Sequence, residues 1–103
     1  MRVELLCFDG YKSWPEGLRN IDVALWEEGF SERAELVKVF DEADAARLHF
    51  LGSPSFRVDG RELWPEDRDG YSLRCRLYRT AHGPKPCPSV AMLREVLRPC
   101  MPE

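Results

Sequence analysis

Apolar and polar positions follow distinct rhythms along the chain, and each rhythm predicts an element. Residues 2–8 are short and mostly apolar and end at Asp9-Gly10. They predict a buried strand with Val3, Leu5 and Cys7 on one face and Leu6 and Phe8 on the other. In residues 14–28, Trp14, Leu18, Ile21 and Leu25 recur at helical spacing and form one apolar stripe. Ser13 with Glu16 three residues later predicts a capping box, Pro15 sits in the first turn, and Gly29 marks the stop. Residues 34–40 predict a second strand. Asp41, with Asp44 three residues later, predicts the cap of a short helix that turns Ala45, Leu48 and Leu51 inward and ends at Gly52.

Residues 55–58 predict a third strand, and Asp59-Gly60 is a two-residue hairpin signal with a return strand beginning in 61–64. Residues 65–70 are a polar, acidic loop. Residues 72–79 alternate, which predicts a fourth, edge strand with Leu73, Cys75 and Leu77 inward and Arg74, Arg76 and Tyr78 outward. After a Gly/Pro loop at 82–88, residues 89–98 predict a last helix on Val90, Leu93 and Leu97, ended by Pro99. The leading strand–helix–strand unit implies two parallel strands, and the hairpin adds antiparallel ones. The expected fold is α/β: a mixed, four-stranded sheet with helices on both faces, in one domain spanning 1–103.

Composition sharpens this picture only in places. The chain has 103 residues, 44% hydrophobic and 32% charged, which suits a folded domain rather than a disordered one. No apolar run approaches the roughly 20 residues of a membrane span, and Asp9 interrupts the first one, so neither a membrane segment nor a secretory signal is expected. A cytoplasmic setting with free thiols follows as the expectation for Cys7, Cys75, Cys87 and Cys100. Residues 1–70 hold 9 basic and 16 acidic groups, and residues 71–103 hold 6 and 2, so net −7 meets net +4 to give −3. The basic third is expected to balance the acidic part of the same surface. Arg74, Arg76 and Arg79 with Tyr71 and Tyr78 are too short a patch on an acidic chain to predict nucleic-acid binding.

The segment Phe50-Leu51-Gly52-Ser53-Pro54-Ser55-Phe56-Arg57-Val58-Asp59-Gly60 resembles the cis-proline loop, third strand and turn of thioredoxin-like proteins. Phe8-Asp9-Gly10-Tyr11-Lys12-Ser13-Trp14 is similar to the segment where that family holds its active cysteines. The likeness is greatest to a group of small bacterial thioredoxin-like proteins carrying Asp-Gly-Cys-Pro-x-Trp here, some of them labelled as resembling alkylmercury lyases. It implies a thioredoxin-like fold, with cis-Pro54 shaping a groove beside the start of the first helix. The departure bears on the chemistry. Tyr11 stands at the nucleophile position and Trp14 at the later thiol position, so the helix start that would stabilise a thiolate has no thiol.

Two classes of function follow. The first is a non-catalytic binding or accessory module. It would hold a protein, a peptide or a small thiol ligand at Tyr11, Lys12, Ser13, Trp14, Ser53 and Pro54. The second is a thiol-dependent oxidoreductase, or a protein handling soft metals or organomercurials, with Cys7 or Cys75 as the working sulfur. Against the second, a buried free cysteine is an ordinary small apolar residue, which is the expectation for Cys7. His49 and His82 lack neighbouring ligands in sequence, so no metal site and no cofactor are expected. Trp64 and Tyr71 could line the groove or cap the loop at 65–72. A homodimer through the fourth-strand edge is a third, structural reading.

Overall fold

The computed structural model describes residues 1–10 and 12–101. The chain runs β1 (Val3–Cys7), α1 (Trp14–Glu27), β2 (Glu35–Lys38), α2 (Glu42–Leu48), β3 (Ser55–Val58), β4 (Arg61–Glu62), β5 (Tyr78–Thr80), β6 (Gly83–Lys85) and α3 (Val90–Leu97), with a turn of 3-10 helix at Arg98–Cys100. The main sheet is mixed and four-stranded, in the order β2-β1-β3-β4. β1 pairs parallel with β2 across the α1 crossover and antiparallel with β3, and β3 pairs antiparallel with β4.

Alternation in β1 divides the core as its sequence implies. Val3, Leu5 and Cys7 join Ile21, Ala24 and Leu25 of α1 and Leu93 and Leu97 of α3 in one cluster. Leu6 joins Val39, Ala45 and Phe50 on the α2 side, with Val37 and Leu48 packed against them. Helices therefore cover both faces. Each fully buried leucine or phenylalanine in these clusters contributes about 1.5–3 kcal/mol by leaving water.

Several local expectations are corrected. Ser13 does not build a capping box: its backbone is helical at φ −84, ψ −11, and its side chain accepts no cap bond. Glu16 instead accepts from the Cys87 thiol at 3.0 Å. Ser89, with extended backbone at ψ 163, does cap α3 by accepting from the Met92 N–H. Asp41 caps α2 as its spacing implies, accepting from the Asp44 N–H at 2.8 Å. That helix ends earlier than expected, at His49, whose left-handed φ of 53 turns the chain before Gly52 is reached.

The largest correction concerns residues 72–79. They do not form the fourth strand, which is the two-residue β4; Leu73 packs inward and Arg74 outward as expected, but from Cys75 to Tyr78 the facing is reversed. Cys75 and Leu77 are exposed, whereas Arg76 and Tyr78 are 8% and 4% exposed. The cause is a buried ion cluster. Arg57 donates to Glu62, and Arg76 lies 3.6 Å from Glu62 and 3.3 Å from Glu66 while donating to the Trp64 carbonyl. Arg68 forks onto Glu66 at 3.0 Å. Burying a guanidinium is tolerable only with such partners, and they lie on β4 and the loop after it. They draw Arg76 in and turn Cys75 out.

Candidate functional site

The sequence places its candidates at the end of β1, at the start of α1 and just before β3. The fold sets the first turn of α1 against the loop before β3, at one corner. Gly17, in the first turn of α1, faces the ring of Pro54: a Cβ at position 17 would lie 3.4 Å from Pro54 Cγ and 3.4 Å from Phe56 Cζ. The Ser53–Pro54 bond is cis. The Pro54 carbonyl accepts from the Tyr78 hydroxyl, and Tyr78 packs edge-on against Phe56 at 6.1 Å and Trp64 at 5.1 Å. Burial pushes the Tyr78 phenol far above its ordinary pKa, so it serves as a neutral donor. Trp64 thus belongs to the packing behind the corner. Tyr71 stacks on His49 instead, with ring centroids 4.7 Å apart.

Segment 74–76 covers the corner from within. The Ser53 N–H donates to the Arg74 carbonyl at 2.8 Å, and the Arg76 N–H donates to the Ser53 carbonyl at 3.1 Å, which makes an isolated parallel bridge between Ser53 and Cys75. Gly52 makes the close approach feasible. Its φ is +122, and a Cβ there would lie 2.9 Å from Arg76 Cβ and 3.2 Å from the Cys75 carbonyl oxygen. Ser53 and Pro54 are fully buried as a result, and the Ser53 hydroxyl has no hydrogen-bond partner among the described residues. The open groove expected around Pro54 is filled by the chain itself.

The helix-start residues fare differently. Tyr11 lies outside the described residues. Lys12 is exposed, with no carboxylate partner among the described residues. The Ser13 hydroxyl is buried without a partner among the described residues, and Trp14 is half-buried against the α1–α3 core.

The four thiols are free and differ in setting. Cys7 is fully buried on the core face of β1. Burial pushes its thiol up to about 11; Asp9 adds to the rise and Lys38 opposes it. Cys87 is buried before α3. Burial, followed by its bond to the Glu16 carboxylate, pushes it up to about 12. Both are neutral and unreactive near pH 7. Cys75 is exposed beside Ser53, and Cys100 is half-buried, its thiol facing the Val96 carbonyl at 3.7 Å. Cys7 and Cys75 are not paired.

Sequence reasoning did not single out Gly17, read Gly52 only as a helix end and part of the proline loop, and placed Arg76 and Tyr78 on the wrong side. One signal was present: acidic Glu62, Glu66, Asp67 and Asp69 stand just ahead of arginines at 74, 76 and 79. Among the described residues, no group of three or more His, Cys, Asp or Glu side chains could hold a metal ion, and no helix is long and apolar enough to cross a membrane. No protein-family model matches the chain, and neither a curated protein nor a solved structure matches it.

Proposed function

We propose that the chain is a thioredoxin-like domain without a redox pair, acting as a non-catalytic binding or accessory module in the cytoplasm. Its partner is a protein, a peptide or a small thiol compound, held at the corner where the start of α1 meets the Ser53–Pro54 loop. The observation that carries the reading is the apposition of Gly17 and Pro54 beside a helix start whose own segment, residues 9–16, carries no thiol. A strand order with β3 between β1 and β4 supports the thioredoxin-like part, because the resemblance implies that order. The buried, neutral state of Cys7 supports the non-catalytic part. Because residues 74–76 cover Pro54, the accessible side of the corner is the helix start. There Lys12 offers a charge, and Trp14 a partly exposed ring.

A second reading is favoured by one observation: Cys75 is exposed and stands opposite Ser53. It makes Cys75, rather than Cys7, the sulfur of a thiol-dependent or soft-metal activity.

Titration of ¹⁵N-labelled protein with reduced glutathione and with a cysteine-containing peptide tests both readings. The binding-module reading expects saturable shifts at Lys12–Gly17 and Gly52–Phe56, weakened by Lys12→Glu, with every thiol still free by mass. With oxidised glutathione or an organomercurial added in a second titration, formation at Cys75 of a mixed disulfide (one glutathione thiolate leaving) or of a mercury adduct, lost in Cys75→Ser, replaces the first reading by the second. Shifts confined to other surfaces dispose of both.

A further inference from the structure

The free margin of the main sheet is β2, and its backbone is half sealed. The Val39 N–H donates to the Cys7 carbonyl at 2.8 Å. In a parallel ladder alternate residues face the neighbouring strand, so Glu35, Val37 and Val39 address β1 while Ala34, Leu36, Lys38 and Phe40 point outward. Two of those outward N–H groups are already taken. Ala34 donates to the Asp22 carboxylate at 2.9 Å and Phe40 to the Asp44 carboxylate at 3.1 Å. Leu36 and Lys38, between them, have no outward backbone partner among the described residues. The same margin is apolar. Leu36 and Phe40 are 36% and 74% exposed, and Val23 and Trp26 on the adjoining flank of α1 are 44% and 79% exposed. These are four of the seven large apolar side chains that stand exposed, and Val23 and Trp26 line one surface cavity with Arg33, which leads into β2. Such clustering marks an interaction surface rather than scattered exposure.

We infer that this margin pairs with a second copy of the chain, β2 antiparallel to β2, with Val37 on the two-fold axis. The sealed positions select that register. An axis at Leu36 would set Ala34 against Lys38 of the second copy, but the Ala34 N–H is held by Asp22. An axis at Lys38 would face two ammonium groups and would need the Phe40 N–H, which Asp44 holds. An axis at Val37 sets Leu36 against Lys38 of the second copy and Lys38 against Leu36. Both open residues are then used, and each pair exchanges both hydrogen bonds. The side chains agree. Arg33 is exposed without an ion-pair partner among the described residues, and it falls opposite Asp41 of the second copy, twice by symmetry. The next outward pair, Ala34 against Phe40 of the second copy, has both N–H groups held, by Asp22 and by Asp44, so the ladder ends at the Leu36–Lys38 pairs and Phe40 meets the second copy through its ring alone, on the face that carries Leu5 and α1.

The test combines sedimentation at protein concentrations up to about 1 mM, a range that reveals even weak association, with engineered thiols. The thiol variants are made where Cys75 and Cys100 are both serine. Val37→Cys is expected to cross-link to its copy under mild oxidation, because residues at a non-hydrogen-bonded antiparallel pair stand only about 4.5 Å apart between Cα atoms. Leu36→Cys is expected to cross-link at least about tenfold more slowly, its copy being offset along the strand by roughly 7 Å. Leu36→Pro removes an outward N–H and leaves the β1 ladder intact, so it is expected to give a monomer with an unchanged circular dichroism spectrum. Arg33→Glu, which touches no packed residue, is expected to weaken the dimer about fivefold by facing Asp41 with a like charge. A chain that stays monomeric at the highest concentration overturns the inference. So does a dimer in which Leu36→Cys cross-links and Val37→Cys does not, or one that neither Leu36→Pro nor Arg33→Glu weakens.

Discussion

Gly52 packs its main chain against the root of the Arg76 side chain: a Cβ on Gly52 would lie 2.9 Å from the Cβ of Arg76, too close for both to fit. The contact seats segment 74–76 over Ser53. It combines a left-handed backbone with a steric limit, and both exclude any residue but glycine. Gly52→Ala is therefore expected to destabilise the protein by at least about 2 kcal/mol, through backbone strain and the displaced segment together. Urea unfolding measures the loss. Faster native-state exchange of the Ser53 and Arg76 amides would show that it arises at this contact.

Arg76 is the keystone of the buried ion cluster. Burial raises the Glu62 carboxyl, and Arg57 first, then Arg76 and Arg68, draw it back toward the charged form. Arg76→Met leaves Glu62 to Arg57 and the more distant Arg68 and removes the cation standing 5.2 Å over the Tyr78 ring. A loss of about 3 kcal/mol is expected, the usual scale for a buried pair that loses one partner. In a double-mutant cycle, Arg76→Met with Glu62→Gln should be less destabilised than the two single losses add up to. Simple additivity would show that the two groups do not act together.

Glu28 joins α1 to α3. It accepts from Arg94 at 2.7 Å and from Arg98 at 3.1 Å, and those bonds, Arg94 first, hold its carboxyl below the ordinary value. A carboxyl depressed in the folded state contributes stability above its unfolded pKa of about 4.3 and loses it as pH falls through the folded value. Glu28→Gln should therefore be less stable than the parent at pH 7. The difference should narrow as pH falls below the unfolded value and close once it has passed the depressed folded value, where the parent carboxyl is protonated too. Thermal unfolding across pH tests this, and a gap that persists at low pH would reject the assignment.

The thiols should react in an order set by burial and charge. Cys75 should alkylate first in the native protein and Cys100 more slowly. Cys7 and Cys87, raised to about 11 and about 12, should stay protected until the chain unfolds. Peptide mass after iodoacetamide treatment at pH 8 reads this directly. Labelling of Cys7 ahead of Cys75 would contradict the burial described for both.

Elements whose signals are local were legible in the sequence. The β1 alternation, the α1 stripe and the Asp41 cap each depend on residues a few positions apart, and the structure places them as read. What could not be read was decided by distant partners. Ser13-x-x-Glu16 has the spacing of a capping box, yet Glu16 turns to a thiol 71 positions away. Residues 72–79 alternate with the regularity of a strand. Their facing, however, is set by where the carboxylates of Glu62 and Glu66 lie, and no periodicity within that segment encodes it. Nor could the groove be foreseen as filled, because the filling depends on Gly52 admitting another part of the backbone.

The pairing of Glu62 and Glu66 with Arg76, and of Glu27 and Glu28 with Arg94 and Arg98, gives the uneven charge of the chain a physical meaning. The last third behaves as a tethered polycation laid along an anionic body: its arginines are the body's own counterions, and they bring apolar side chains with them. Cleavage near Gly70, an open position with nothing within 4 Å of a built Cβ, would release a fragment of net −7 that keeps its own ion pairs but loses the cations that offset its excess carboxylates. The C-terminal segment is thus both packing material and the charge regulator of the fold.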